Sequence, residues 1–206
     1  MNKVYNTVWN ESTGMWVVTS ELTRKGGRRP RQIRRTALAG LIAGLLLPSA
    51  PALATYDENQ TLESGGKSSS MRLSAGDTAT NPTINNGHQY VSNGSSATGT
   101  TINSGGMLSI FGGSAVDITQ KSGGGISTDT SATLSGTNIN GSFSIAGGSA
   151  SNMLLENGGY LAVLNGHQAT STTINSGGLQ RVSSGGSATG TTINSGGNQY
   201  VSSGGS

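Results

Sequence analysis

The chain has 206 residues, with no Cys, 34 Gly, 10% charged residues and 4% aromatic residues. Without Cys there is no disulfide scaffold, thiolate metal site or cysteine nucleophile. With so few large apolar residues a compact globule has too little to bury, which leaves a Gly/Ser linker or a solenoid that shares one or two small apolar residues per turn between neighbours.

The formal charge of +3 is unevenly spread. Lys3, Arg24, Lys25, Arg28, Arg29, Arg31, Arg34 and Arg35 all precede residue 55. Beyond it four bases face seven acids, a net −3. A nucleic-acid partner is therefore not expected.

Residues 1–54 read as an address. Arg28 to Arg35 is basic, Thr36 to Leu47 (TALAGLIAGLLL) is apolar, and Pro48 and the Ala52-Leu53-Ala54 site follow. Basic, apolar, then small is the order of a secretory signal. The apolar run is about half the ~20 residues a bilayer-spanning helix needs. Cleavage is expected between Ala54 and Thr55, with Ala52 and Ala54 as the small residues of the site.

After residue 55 the chain repeats itself. TTINSGGLQRVSSGGSATG begins at Thr172 and TTINSGGNQYVSSGGS at Thr191. Worn copies start at Pro82, Thr100 and Met153, and a further copy is read over Gly136 to Asn152. A period near 19 is a solenoid signature. Each unit holds two short stretches suited to strands, separated by Gly-Gly or Asn-Gly turns. Side chains alternate along a strand. Inward positions are then Ile84, Val91, Ile102, Ile110, Ile174, Val182, Ala188, Ile193 and Val201, and both Thr of each Thr-Thr pair are assigned to the outside. The fold expected is all-β: a right-handed parallel β-helix of ~19-residue coils, eight in all, with residues 55–81 as a cap or first coils and 82–206 as the repeat region. Asn103, Asn175 and Asn194 could stack as an amide ladder or simply favour turns.

Leader and repeats together resemble a known family. The stretch MNKVYNTVWNESTGMWVVTSELTRKGG, with Trp9-Asn10, Trp16-Val17-Val18 and Ser20-Glu21-Leu22, is similar to the extended signal peptide of large Gram-negative autotransporters. The tandem TTINSGGxQxVSSGGSATG units resemble the passenger of AIDA-type self-associating autotransporter adhesins. The resemblance implies Sec-dependent export to the periplasm and display of the full-length protein at the outer membrane. It also implies attachment to the host cell surface, and autoaggregation and biofilm formation through other copies of the chain. It further implies a heptosyltransferase that modifies Ser in short loops. Ser183, Ser184, Ser187, Ser202, Ser203 and Ser206 correspond first, then Ser104, Ser176 and Ser195. The family also has a C-terminal β-barrel, whose strands do not occur before Ser206; the reading is an address followed by the first coils of an adhesin.

Other chemistry finds little support. His88 and His167, each in Asn-Gly-His-Gln, lack a carboxylate cluster and read as solvent-facing turn residues rather than metal ligands. Gly112 to Asp117 lacks the recurring Gly-x-Asp of calcium-binding β-helices. Charged residues are too scattered for a catalytic cleft, so no catalytic residue, cofactor or metal site is assigned. A polysaccharide-processing β-helix, an ice-binding Thr ladder and a non-adhesive stalk are the alternatives; Pro82, Gly136, Met153 and Leu154 interrupt the Thr-Thr pattern.

Overall fold

The computed structural model describes residues 5–10, 14–20 and 56–206. Two compact units emerge, Met1–Pro51 and Ala52–Ser206. The expectations for Thr36–Leu47, Ala52, Ala54 and Thr55 lie outside the described residues.

In the first unit Tyr5–Asn10 and Met15–Ser20 pair antiparallel, with Trp9 opposite Trp16. The hairpin turns at Gly14, which has a φ of 63°. The two indoles meet edge to face, with centroids 5.5 Å apart. That is the favoured geometry for an aromatic pair across strands.

The second unit is a parallel β-helix with three sides, each distinguished by what it turns inward. The alanine side begins at Tyr56–Glu58 and carries Ala79, Ala97 and Ala115 inward in register, then Leu134. The isoleucine side stacks Leu62, Ile84, Ile102 and Gln120, and resumes with Leu155, Ile174 and Ile193. The valine side has seven strands in parallel register, from Ser70–Leu73 to Asn198–Val201. Ile84, Val91, Ile102, Ile110, Ile174 and Val182 are each at most 1% exposed. Each such side chain contributes roughly 1.5–3 kcal/mol of apolar burial. Ala188 is partly buried against this core.

Two residues assigned to the core are not in it. Ile193 is 48% and Val201 50% exposed. Both lie on the terminal rung, and in a solenoid each rung is covered by its neighbour.

The copy assigned to Gly136–Asn152 is not a coil. Thr133–Asn138, Gly141–Ala146 and Ser149–Ser151 pair antiparallel in succession, so the chain doubles back twice. Gly141 (φ 109°) sits at the first reversal, and Gly147 (φ 55°) and Gly148 (φ 82°) form the second. Left-handed backbone of this kind is what tight antiparallel turns require. Phe143 lies opposite Gly136; a Cβ on Gly136 would sit 2.2 Å from the Ile118 carbonyl oxygen. The alanine side therefore has nine strands, eight along the winding direction and Gly141–Ala146 against it. Leu154, in register with the outward Thr173, is fully buried. Asn140 at the hairpin tip donates to Thr173 Oγ1 at 3.2 Å, which draws the hairpin over that outer face.

The insertion also shifts the stack. Before it Val91, Ile110 and Thr128 share one inward column of the valine side. That column continues as Leu161 and Gln180. Gln89 and Gln180 occupy equivalent places in their sequence units but sit two positions apart in the stack. A slip of two preserves which side chains face inward, whereas a slip of one would invert them.

The Gly-Gly corners have two separate causes. Gly105, Gly177 and Gly196 adopt φ between 76° and 79°, which L-residues disfavour. The glycine after each is constrained by space: a Cβ on Gly106 would lie 2.4 Å from the Ile84 oxygen, and one on Gly178 2.1 Å from the Leu155 oxygen.

Candidate functional site

The Thr of each unit divide between two environments, which corrects the outward assignment of both. Thr100 and Thr172 are buried and meet inward-facing glutamines. Thr100 Oγ1 donates to Gln89 Oε1 at 3.2 Å. Gln180 donates to Thr172 Oγ1 at 3.2 Å and accepts from Thr191 Oγ1 at 3.2 Å. Gln199 donates to Gln180 Oε1 at 3.1 Å. These glutamines were missed because a polar amide in a strand reads as an exposed residue. Alternation was the signal that could have found them, since Gln180 and Val182 are two apart and must share a face.

The second Thr points outward. Thr61, Thr83, Thr101, Thr119 and Thr137 stack in register without interruption. Pro82 and Gly136 precede members of this column and do not break it. Amides line the corner beside it: Asn103 Nδ2 donates to Asn85 Oδ1 at 2.6 Å, and Asn194 Nδ2 to Asn175 Oδ1 at 2.8 Å. Asn103 and Asn175 thus belong to separate ladders. Asn175 Nδ2 continues the second to Glu156 Oε2 at 3.1 Å, and Glu156 Oε1 accepts from the Gly123 amide at 2.6 Å.

The candidate serines lie at or beside the corners. Ser104, Ser176, Ser184, Ser195, Ser203 and Ser206 are exposed, whereas Ser183, Ser187 and Ser202 are half-buried. Ser104, Ser176, Ser184, Ser195 and Ser203 each directly precede a glycine of positive φ. Ser64 and Ser122, exposed and followed by Gly65 and Gly123 of positive φ, share that geometry. The Ser-Gly pair was the available signal for them. Along one corner the residues repeat once per rung, ~4.8 Å apart. The missing glycine side chain makes room for the preceding rung: a Cβ on Gly196 would meet Ser176 Oγ at 2.8 Å, and one on Gly204 would meet Ser184 Oγ at 2.9 Å.

Neither histidine is a solvent-facing turn residue. His88 opens the strand His88–Ser92 and is half-buried; its Nε2 is 2.8 Å from Ser109 Oγ. Burial, and then the Arg72 guanidinium, hold its imidazole below the usual pKa. His167 Nδ1 lies 2.8 Å from Thr130 Oγ1. Among the described residues no group of three metal-ligating side chains occurs.

Comparison with known proteins gives a consistent picture. Residues 1–50 match the family model "Extended Signal Peptide of Type V secretion system". Residues 135–197 match "Adhesin of bacterial autotransporter system, probable stalk". The chain is 85% identical over 87 residues to the autotransporter CRAC of Citrobacter rodentium, covering 42% of this chain and 6% of that protein. It is 76% identical over 92 residues to the autotransporter adhesin/invasin TibA of Escherichia coli O78:H11, covering 44% of this chain and 9% of TibA. The chain thus spans less than a tenth of the length of either relative. Among solved structures it is similar to a TibC-catalysed, hyper-glycosylated TibA fragment, at 35% identity and a TM-score of 0.35, over 74% of this chain and 77% of that one. Both relatives are autotransporters, TibA being named an adhesin/invasin, and the leader match assigns the chain to type V secretion. With an extended leader, a β-helical repeat stalk and such relatives, the chain belongs to the AIDA-type autotransporter adhesins of the type V secretion system.

Proposed function

We propose that this chain is the leader and proximal passenger of an adhesin that attaches bacteria to host cells and to one another, promoting autoaggregation and biofilm growth. Residues 1–54 direct Sec export and are removed after Ala54. Residues 55–81 form the first coils, and 82–206 the repeat stalk. The turn serines are O-heptosylated by a heptosyltransferase before display at the outer membrane.

The observation that carries the modification is the row of exposed Ser-Gly corners. A hydroxyl at a turn apex next to glycine is uncrowded, and its place on successive rungs presents a regular series of acceptors. Ser104, Ser176, Ser184, Ser195 and Ser203 are the favoured acceptors over Ser183, Ser187 and Ser202. Intact-mass and peptide mapping of the chain, co-expressed with and without a heptosyltransferase, tests this. Sugar masses on the apex serines are expected, and an unshifted mass removes the claim.

Adhesion draws on the long Thr, Ser and Asn faces, which carry few charges to repel a second copy. Many weak contacts along a rod add up to avidity. Bacteria displaying the full passenger should settle faster than bacteria lacking it; equal settling would sink this reading. The word "stalk" in the matched family description favours a second reading, in which these coils only hold a distal adhesive region away from the cell. Moving residues 55–206 onto an unrelated display anchor separates the two, since a pure stalk confers no settling by itself.

A further inference from the structure

The aromatic side chains of the β-helix are unevenly placed. Tyr90, Phe111, Tyr160 and Tyr200 lie at outward positions of the valine side, whereas Phe143 is buried in the inserted hairpin and Tyr56 opens the alanine side. The other two sides present chiefly Thr, Ser and Asn outward.

One outward column of the valine side reads Arg72, Tyr90, Ser109, Ser127, Tyr160, in register from rung to rung. Two small residues therefore separate two tyrosines. Three rung spacings of ~4.8 Å put those tyrosines about 14 Å apart along the axis. Beside this low stretch Met107 lies over Gly125, where an added Cβ would meet its Cε at 2.5 Å. On the other side Phe111 stands 47% exposed. The result is a trough between the two tyrosines, with Ser127 half-buried and Ser109 only 6% exposed at its floor.

Its near end is rigid. Arg72 Cζ is 3.9 Å from the Tyr90 ring centre, and the His88 ring is stacked on Tyr90 at 3.9 Å with a 12° tilt. Two groups at that height cannot share one face, so the Tyr90 ring is sandwiched and offers only its edge and hydroxyl. His88 Nε2 also fixes Ser109 Oγ, and burial keeps that imidazole neutral near pH 7. Asp129 beside Phe111 is turned away to the amide and hydroxyl of Ser131. The floor itself thus carries hydroxyls and no charged side chain.

We propose that this trough binds a neutral oligosaccharide of two to three sugars, which on the adhesin reading above would be displayed by the attached cell. Pyranose rings have apolar C–H faces and hydroxyl edges. The faces would lie on Phe111 and Tyr160, and the edges would meet Ser127 and the Tyr90 hydroxyl. Concave sites with aromatic walls and a few fixed polar groups are the usual form of small-ligand sites. A single sugar carried on a serine of a second copy would leave most of the trough empty, which argues for a longer glycan.

The test is direct binding of the full chain, made without any glycosyltransferase, to an array of neutral and sialylated oligosaccharides with free monosaccharides alongside. Using unmodified protein and no cells keeps this result independent of heptosylation and of aggregation. Retention of neutral di- or trisaccharides is expected, weakened on the order of tenfold by Phe111→Ala or Tyr160→Ala. Ser127→Trp should block the trough outright, while Arg181→Ala changes nothing. Circular dichroism of every variant confirms the fold, and all four sites face outward. No binding of neutral oligosaccharides, binding of acidic glycans alone, equal binding of monosaccharides, or full binding by Ser127→Trp would each overturn the proposal.

Discussion

The middle rungs of the β-helix and the late ones contrast in a way their sequences invert. From Met107 to Leu134 the repeat is worn, yet its interior is chiefly aliphatic: Leu108, Ile110, Ile118, Ile126 and Leu134 are fully buried, with Gln120, Thr128 and Thr130 as buried polar residues among them. From Thr172 onward the copies are nearly identical, yet their interior carries Gln180, which donates to the buried Thr172 and accepts from Thr191 and Gln199. Repetition therefore marks uniform stacking rather than a better core. An apolar interior tolerates drift from rung to rung, because any aliphatic of similar volume fills the space. A buried amide needs its partner in place on the neighbouring rung, which couples adjacent copies to one another.

Core truncation should expose this contrast most strongly. Ile110→Ala is expected to destabilise by about 4 kcal/mol, read as a lowered urea midpoint. Val182→Ala in the late rungs removes less volume and should lose less; equal losses would break the contrast. The corners, in comparison, should behave alike in both regions. Gly106→Ala and Gly178→Ala each drive a Cβ against a carbonyl of the previous rung and should each cost about 3 kcal/mol. A large difference between the two would mean that the regions differ in winding as well as in filling.

The late interior can be tested at one residue. Gln180→Ala leaves Thr172 buried without its donor and should cost about 2 kcal/mol. Gln180→Leu fills the same space and, with Thr172→Val, should be close to neutral. If the single Ala variant proves harmless, the amide network contributes nothing. The smallest effect concerns His88, which is desolvated beside Arg72 and stacked on Tyr90. Its folded pKa is lowered, so its contribution is fully present above the ordinary imidazole value of 6.5 and lost as pH falls through the lower folded value. His88→Gln should flatten the acid side of the stability profile within that window and leave the neutral side alone.

Much of this was legible in the chain. Ile and Val in step over a period near 19 require a stack, and Gly-Gly at fixed places requires corners. Ser-Gly pairs mark the exposed apices. Three features were not legible, each because it depends on a neighbouring rung. The inserted hairpin keeps Gly, Ser and Ile in repeat-like order, and only the antiparallel pairing of Leu134 with Ile145 separates it from a coil. The two-residue slip that follows preserves the inward–outward alternation, so no local pattern records it. Alternation turns Gln180 inward, but the partners that complete its bonding, Thr191 and Gln199, lie one coil away.

Period, strand alternation and turn chemistry are local properties, and the sequence by itself determined a solenoid of short strands with hydroxyls at its corners. Which residues stand above one another is a property of the stack. Only the tertiary structure joined Tyr90, Ser109, Ser127 and Tyr160 into one column, because register across a 33-residue step is settled by hydrogen bonds between rungs and not by position in the chain.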